Sequence, residues 1–181
     1  MTIATKDSHP ANHISFASQH PGAEPFVSKH TIRNPDASGN NIEAQEITLW
    51  PDHCVEGTPG CEFAKDLYTI GLDHKIAKGG DRRVEAYSGF GPAFRNPEVA
   101  MSDLSKILRD NEIKRVYICG LALDYCVKFT AIDAAKAGYK TYVVEDATKA
   151  VDQSEEGLKK TRRELEEHGV ILIQSAGLAM L

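Results

Sequence analysis

No apolar run in this 181-residue chain reaches the roughly 18 residues that a membrane-spanning helix requires, and no secretory leader pattern opens it. No membrane association is expected. Basic charge is not in excess: 21 lysines and arginines face 26 acidic residues, a formal net charge of −5, without a basic patch. That argues against nucleic acid as a partner and favours a small neutral or mixed ligand. The four cysteines, Cys54, Cys61, Cys119 and Cys126, show no framework spacing, so a reducing compartment, cytosol or nucleus, is expected. No internal repeat or low-complexity tract is visible. The length suits a single domain over residues 1–181.

What is present alternates. The stretch from Arg115 to Val151 reads as an apolar strand (Val116 to Gly120), a turn, an alanine-rich helix (Phe129 to Ala137) closed by Gly138, and a second strand (Tyr139 to Val144). This is a βαβ unit, whose strand-to-helix turn lies at the carboxyl edge of a parallel sheet, where ligands bind. Cys126 falls in that turn. Unpaired N–H groups and the positive dipole end at a helix start favour a thiolate and an oxyanion. The residues alone equally allow Cys126 to be a small buried hydrophobe, and Cys119 is expected to be buried in the preceding strand.

Around this unit, Thr2 to Thr5, Ile47 to Trp50, Lys75 to Ala77 and Val170 to Ile173 read as strands or short extended pieces. Pro97 to Asp110 reads as a helix with Pro97 near its first turn and Val99, Leu104, Ile107 and Leu108 inward. A further helix starts near Ser154, with Glu155 and Glu156 complementing its dipole, and ends before Gly169. The polar, turn-rich residues 21–45 read as a surface excursion.

Five of the seven histidines, at 9, 13, 20, 30 and 53, lie in the first third of the chain. Asp7 and His9, two apart on an extended backbone, project from one face, and His53 completes a set of three ligands with open positions. A carboxylate with imidazoles suits zinc, iron or manganese. Chance surface residues account for an isolated D-x-H just as well. His20, His30, His74 and His168 carry no motif and are expected to be solvated. Read alone, Lys78 is a solvated loop residue, and Trp50, Tyr87 and Tyr125 are core aromatics.

Four segments in order carry a family resemblance. TKDSHPANHISFAS and LWPDHCVEGTPG are similar to the metal segments of the nicotinamidase family, within the cysteine hydrolase (isochorismatase-like) superfamily. KIAKGGDRRVEAYSGF resembles its lysine segment, and GLALDYCVKFTAIDAAKAGYKT its nucleophile segment. The resemblance implies an α/β fold: a three-layer, doubly wound, mainly parallel sheet with helices on both faces. It implies Asp7, His9 and His53 as ligands of a divalent metal, zinc or else iron or manganese. Cys126 becomes the nucleophile and Lys78 the catalytic lysine. The oxyanion hole falls to the N–H groups of Cys126 and of Ala122, which follows Leu121 across a cis peptide. Trp50, Tyr87, Tyr125 and Leu121 would line the substrate site. The implied reaction is hydrolysis of nicotinamide to nicotinate and ammonia through a cysteine thioester, in NAD salvage, with a homo-oligomer allowed.

Two departures qualify this expectation. Ser8 stands where the family has tryptophan. The family also opens on an apolar strand of the type VVDMQNDF, whose aspartate is the general base, and no such segment is present here. Neither Asp81 nor Asp124 sits where that base would. The first strand is therefore expected to be missing and the domain N-terminally truncated. The alternative expectation is a catalytically inactive truncated member that binds metal or partner chains only.

Overall fold

The structure, a computed structural model, describes residues 1–180. They form two compact units: Met1–Ala86 with Gly91–Asp103, and Tyr87–Phe90 with the residues from Leu104 onward. No helix among the described residues is long and apolar enough to cross a membrane.

The first unit contains β1 (Ile3–Asp7), β2 (Lys29–Arg33), β3 (Ala44–Thr48) and β4 (His74–Lys78). β1 and β4 pair in parallel, in a register that sets Ile3 against His74 and Asp7 against Lys78. Asp7 and Lys78 thus end their strands side by side. β2 and β3 form an antiparallel hairpin inside what the sequence presents as an irregular excursion. Each of these strands buries only one large apolar residue, Ile32 and Ile47, so the alternation is diluted by the polar turn between them.

The second unit contains α1 (Leu104–Asp110), β5 (Arg115–Leu121), α2 (Lys128–Lys136), β6 (Lys140–Lys149), α3 (Glu155–Glu167) and β7 (Ile171–Ile173). β5, β6 and β7 are parallel in that order, and the βαβ unit read from the sequence is its centre. Parallel strands joined through helices make this an α/β fold. Leu123, Val127, Ala131 and Ile132 pack with Val143, Leu165 and Val170 to form the core.

Two local expectations are corrected. The helix begins at Leu104, not Pro97. The preceding residues are instead tied down by side chains: the Glu43 carboxylate accepts from the N–H groups of Arg95 and Asn96, and Asn34 Nδ2 donates to the Pro97 carbonyl. Asn96–Pro97 is a cis peptide. Val99 is still buried, Leu104 and Leu108 also, while Ile107 is half-buried. Cys119, expected inside, is exposed. β5 strictly alternates, with Val116, Ile118 and Gly120 turned inward and Arg115, Tyr117, Cys119 and Leu121 outward. Its composition suits burial on both faces, whereas its period places cysteine on the outer one.

α3 starts as the sequence indicates. The Ser154 hydroxyl accepts from the Gly157 N–H at 3.1 Å, and Glu155 and Glu156 occupy the first turn. Ser154→Ala is expected to cost about 1 kcal/mol, seen as a fall of roughly 2–4 °C in the thermal unfolding midpoint. An unchanged midpoint would show that the cap is dispensable.

Candidate active site

Asp7 and Lys78, paired by strand register, also meet through their side chains: Lys78 Nζ donates to Asp7 Oδ1 at 2.5 Å and to the Ala86 carbonyl at 2.7 Å. The lysine side chain is only 5% exposed. Burial raises the Asp7 pKa, but the Lys78 charge and hydrogen bond, with His9 and His53 nearby, outweigh it and leave the carboxyl below its ordinary 3.8. A carboxyl whose pKa is lower when folded stabilises fully above its unfolded value and loses that contribution as pH falls through the folded one. The metal-free protein is therefore expected to lose unfolding temperature steeply below about pH 4, and less steeply in Asp7→Asn. Parallel pH profiles would count against the pairing.

His9 follows two residues after Asp7 and is almost wholly buried. Its backbone N–H donates to the Cys54 carbonyl, and its carbonyl accepts from Glu56, which straps the loop carrying His53 alongside it. The two imidazoles lie 5.0 Å apart between centroids. His9 Nδ1 lies 2.9 Å from the Gly79 carbonyl, and His53 Nδ1 lies 2.8 Å from that of Pro51. A carbonyl only accepts, so Nδ1 carries the proton in both rings and Nε2 keeps its lone pair. One ligand atom each from Asp7, His9 and His53 falls within 4.8 Å of the others. A carboxylate and two imidazoles pinned through their outer nitrogens form a donor set that fits a divalent ion with open positions.

Gly79 was not foreseen as part of this centre. Its φ of +76° lies in the left-handed region, and a Cβ there would collide with the His9 ring. The paired glycines after Lys78 were the available signal, since such a position allows close approach to the backbone. Gly79→Ala is expected to weaken zinc retention against a chelator about 10–100-fold. Retention equal to the unmodified chain would mean that His9 is not held by this contact.

His13 is fully buried, with its ring 4.2 Å from His9. It donates from Nε2 to Val84 and accepts at Nδ1 from Ser15. Burial first, then His9, lowers its pKa to about 4, so it is a neutral ring braced behind the ligands, as its omission from the ligand set implied. Asp52 accepts from Ser18, and the buried Cys61 thiol donates to the Asp7 carbonyl. Burial, then Asp7, raises the Cys54 thiol pKa. Trp50 is half-buried beside His53, 6.4 Å between centroids, and meets Phe26 edge-on.

In the second unit, Cys126 is half-buried in a π-helical turn, Leu123–Val127, that opens directly into α2. The Tyr125 and Val127 N–H groups both donate to the Ala122 carbonyl at 3.1 Å. The Leu121–Ala122 peptide is cis, as the resemblance implied. Leu121 itself is 72% exposed. Tyr87 and Tyr125 meet at 5.2 Å, and Tyr87 also stacks on Phe129. Asp124 accepts from the Val151 and Asp152 N–H groups, and Asp81 binds Arg83, so both have structural work.

Comparison with known proteins places these features in context. Residues 16–176 match the isochorismatase domain model. The chain is 44% identical to the nicotinamidase of Acinetobacter baylyi over 154 residues, 84% of this chain and 64% of that protein. It therefore spans slightly less than two thirds of that relative's length. The crystal structure of yeast nicotinamidase bound to the inhibitor nicotinaldehyde superposes with a TM-score of 0.85 at 35% identity, covering 96% of this chain and 79% of that one. The Pyrococcus horikoshii pyrazinamidase, solved in complex with zinc, gives a TM-score of 0.67 at 37% identity, covering 95% and 74%.

Proposed function

The chain belongs to the isochorismatase-domain family, and from that premise we propose that it is a metal-dependent cysteine amidohydrolase converting nicotinamide to nicotinate and ammonia in NAD salvage. The observation that carries the reading is the cluster of Asp7, His9 and His53, with Nε2 of both imidazoles left to bind, in a chain so similar to nicotinamidases. Those three residues would hold a divalent ion, zinc by preference. Bound there, it would supply a Lewis acid for the pyridine nitrogen and so fix the ring's orientation.

The chemistry falls to Cys126. Its sulfur attacks the amide carbon, the C–N bond breaks, and the thiol proton leaves on ammonia. Water then hydrolyses the thioester to nicotinate and restores the thiol. The N–H groups of Ala122 and Cys126 are the assigned donors to the oxyanion. Lys78, fixed by Asp7 and Ala86, supplies a positive charge that favours anionic states of the reaction. Trp50, Leu121 and the Tyr87–Tyr125 pair supply apolar surface for the ring.

Ammonia release should be measured with nicotinamide and with benzamide, which lacks the ring nitrogen, before and after chelation and zinc return. Turnover of nicotinamide that is lost with the metal and restored with it, with benzamide at least tenfold slower, is expected. Equal rates on the two amides would overturn the role given to the metal, and no ammonia from either would overturn the function.

A further inference from the structure

A concave site lies in the first unit. A cavity of about 560 Å³ opens between the hairpin strand β2 and the segments around Asn12 to His20 and Arg82 to Arg83. None of Asp7, His9 or His53 lines it. Its volume falls within the range of small-molecule sites.

Its lining is cationic. Arg33, Arg82 and Arg83 contribute guanidinium groups, His20 and His30 contribute imidazoles, and no carboxylate is among the lining residues. Arg83 is already neutralised, since it bonds to Asp81 and Asp36. Arg33 and Arg82 are exposed and have no such partner among the described residues. Two arginines lining one cavity that has no carboxylate in its wall can hold an anion there through bidentate hydrogen bonds.

The remaining wall favours an organic anion over a bare one. His20 and His30 lie 4.5 Å apart between ring centroids, tilted at 45° and both half-buried, and offer two ring faces for contact. His20 is held in place by a hydrogen bond from Nε2 to the Ile14 carbonyl at 2.7 Å. Asn12, Gln19 and Thr31 add neutral hydrogen-bonding groups. The His30 pKa is lowered by burial and then by His20, which fits a pocket where positive charge is not offset. Sequence gave no hint of this pairing, because His20 and His30 carry no motif and their solvation was the natural expectation.

We propose that this cavity is a binding site for a small phosphate monoester, with Arg33 and Arg82 clamping the phosphate and His20 and His30 flanking the organic part. The phosphate group could come from a free inorganic ion or from a nucleotide-like ester, and the two are separable by titration.

Isothermal titration of the complete chain at fixed ionic strength tests this, using inorganic phosphate, adenosine monophosphate and adenosine as probes. Adenosine monophosphate is expected to bind one to one, at least tenfold tighter than inorganic phosphate, with no binding by adenosine. The R33Q/R82Q variant is expected to weaken the monophosphate at least tenfold while its unfolding midpoint stays put, since both arginines are on the surface. Phosphate and monophosphate binding equally would overturn the role of the histidines. Absence of binding by either anion to the unmodified chain, or undiminished binding by the variant, would overturn the site. The nicotinamide reading is not at stake, because no residue of this cavity takes part in it.

Discussion

Cys126→Ser is expected to lower ammonia release from nicotinamide by about 10⁴-fold or more, because the nucleophile acts as one unit with the groups that serve it. Serine keeps the turn Leu123–Val127 and nearly the same volume, so the unfolding midpoint should hold. What changes is the attacking atom, since a hydroxyl ionises far less readily than a thiol. Competing thiols are separable. Cys61 is buried, and the Cys54 thiol has its pKa raised by burial and by Asp7, so neither is poised to react. Cys119 is exposed and is the proper control. Cys119→Ser should leave turnover unchanged, and a pyridine-3-carbaldehyde adduct should be lost only with Cys126. Activity within tenfold of the parent in Cys126→Ser, or an adduct on Cys119, would assign the chemistry to the wrong thiol.

Lys78→Met carries the second large effect, on stability as well as on turnover. The lysine is the main partner that holds Asp7 ionised against burial, and its removal leaves a mostly buried carboxylate with only the smaller contributions of His9 and His53. Breaking such a pair costs about 3 kcal/mol, at the low end because Asp7 keeps some solvent contact, and should lower the unfolding midpoint by roughly 6 °C or more. The loss should appear at neutral pH and shrink in acid, where Asp7 is protonated in either protein. Adding Asp7→Asn should return part of the stability, because no charge then remains to be desolvated. A Lys78→Met protein as stable as its parent, or a double variant worse than the single ones combined, would sink this account.

The family's leading aspartate, which was expected to be missing here, bears on the same lysine. Lys78 contacts the carboxylate of Asp7, a member of the candidate metal cluster. One group is thus placed to serve both the proposed ion and the lysine.

How far these features were readable before folding depended on their range. Asp7 and His9 were legible because a strand fixes the direction of alternate side chains, and Cys126 because the strand, turn and helix around it are contiguous. His53 could be offered from the residues only as a candidate third ligand, since the strap from His9 to Cys54 and Glu56 joins residues more than forty apart and has no local signature. The carbonyls of Gly79, Pro51 and Ala86, which orient two ligands and the lysine, are invisible in a list of side chains. Cys119 was misplaced because strand composition speaks to burial while its period decides which face receives it. The helix assigned from Pro97 failed because the chain around its expected start is tied to Glu43 and Asn34, partners far away in sequence.

Trp50 is the only tryptophan in the chain, and it sits next to the imidazole of His53, a proposed metal ligand. That coincidence makes the protein its own optical gauge. Indole emission excited selectively reports from a single place, so loading of the ion, its removal and the arrival of an aromatic amide each alter one signal without any attached dye. Quenching by a paramagnetic ion such as manganese, compared with zinc, would distinguish occupancy from rearrangement. The surrounding Phe26 ring and the half-buried setting keep the starting spectrum away from that of free indole in water.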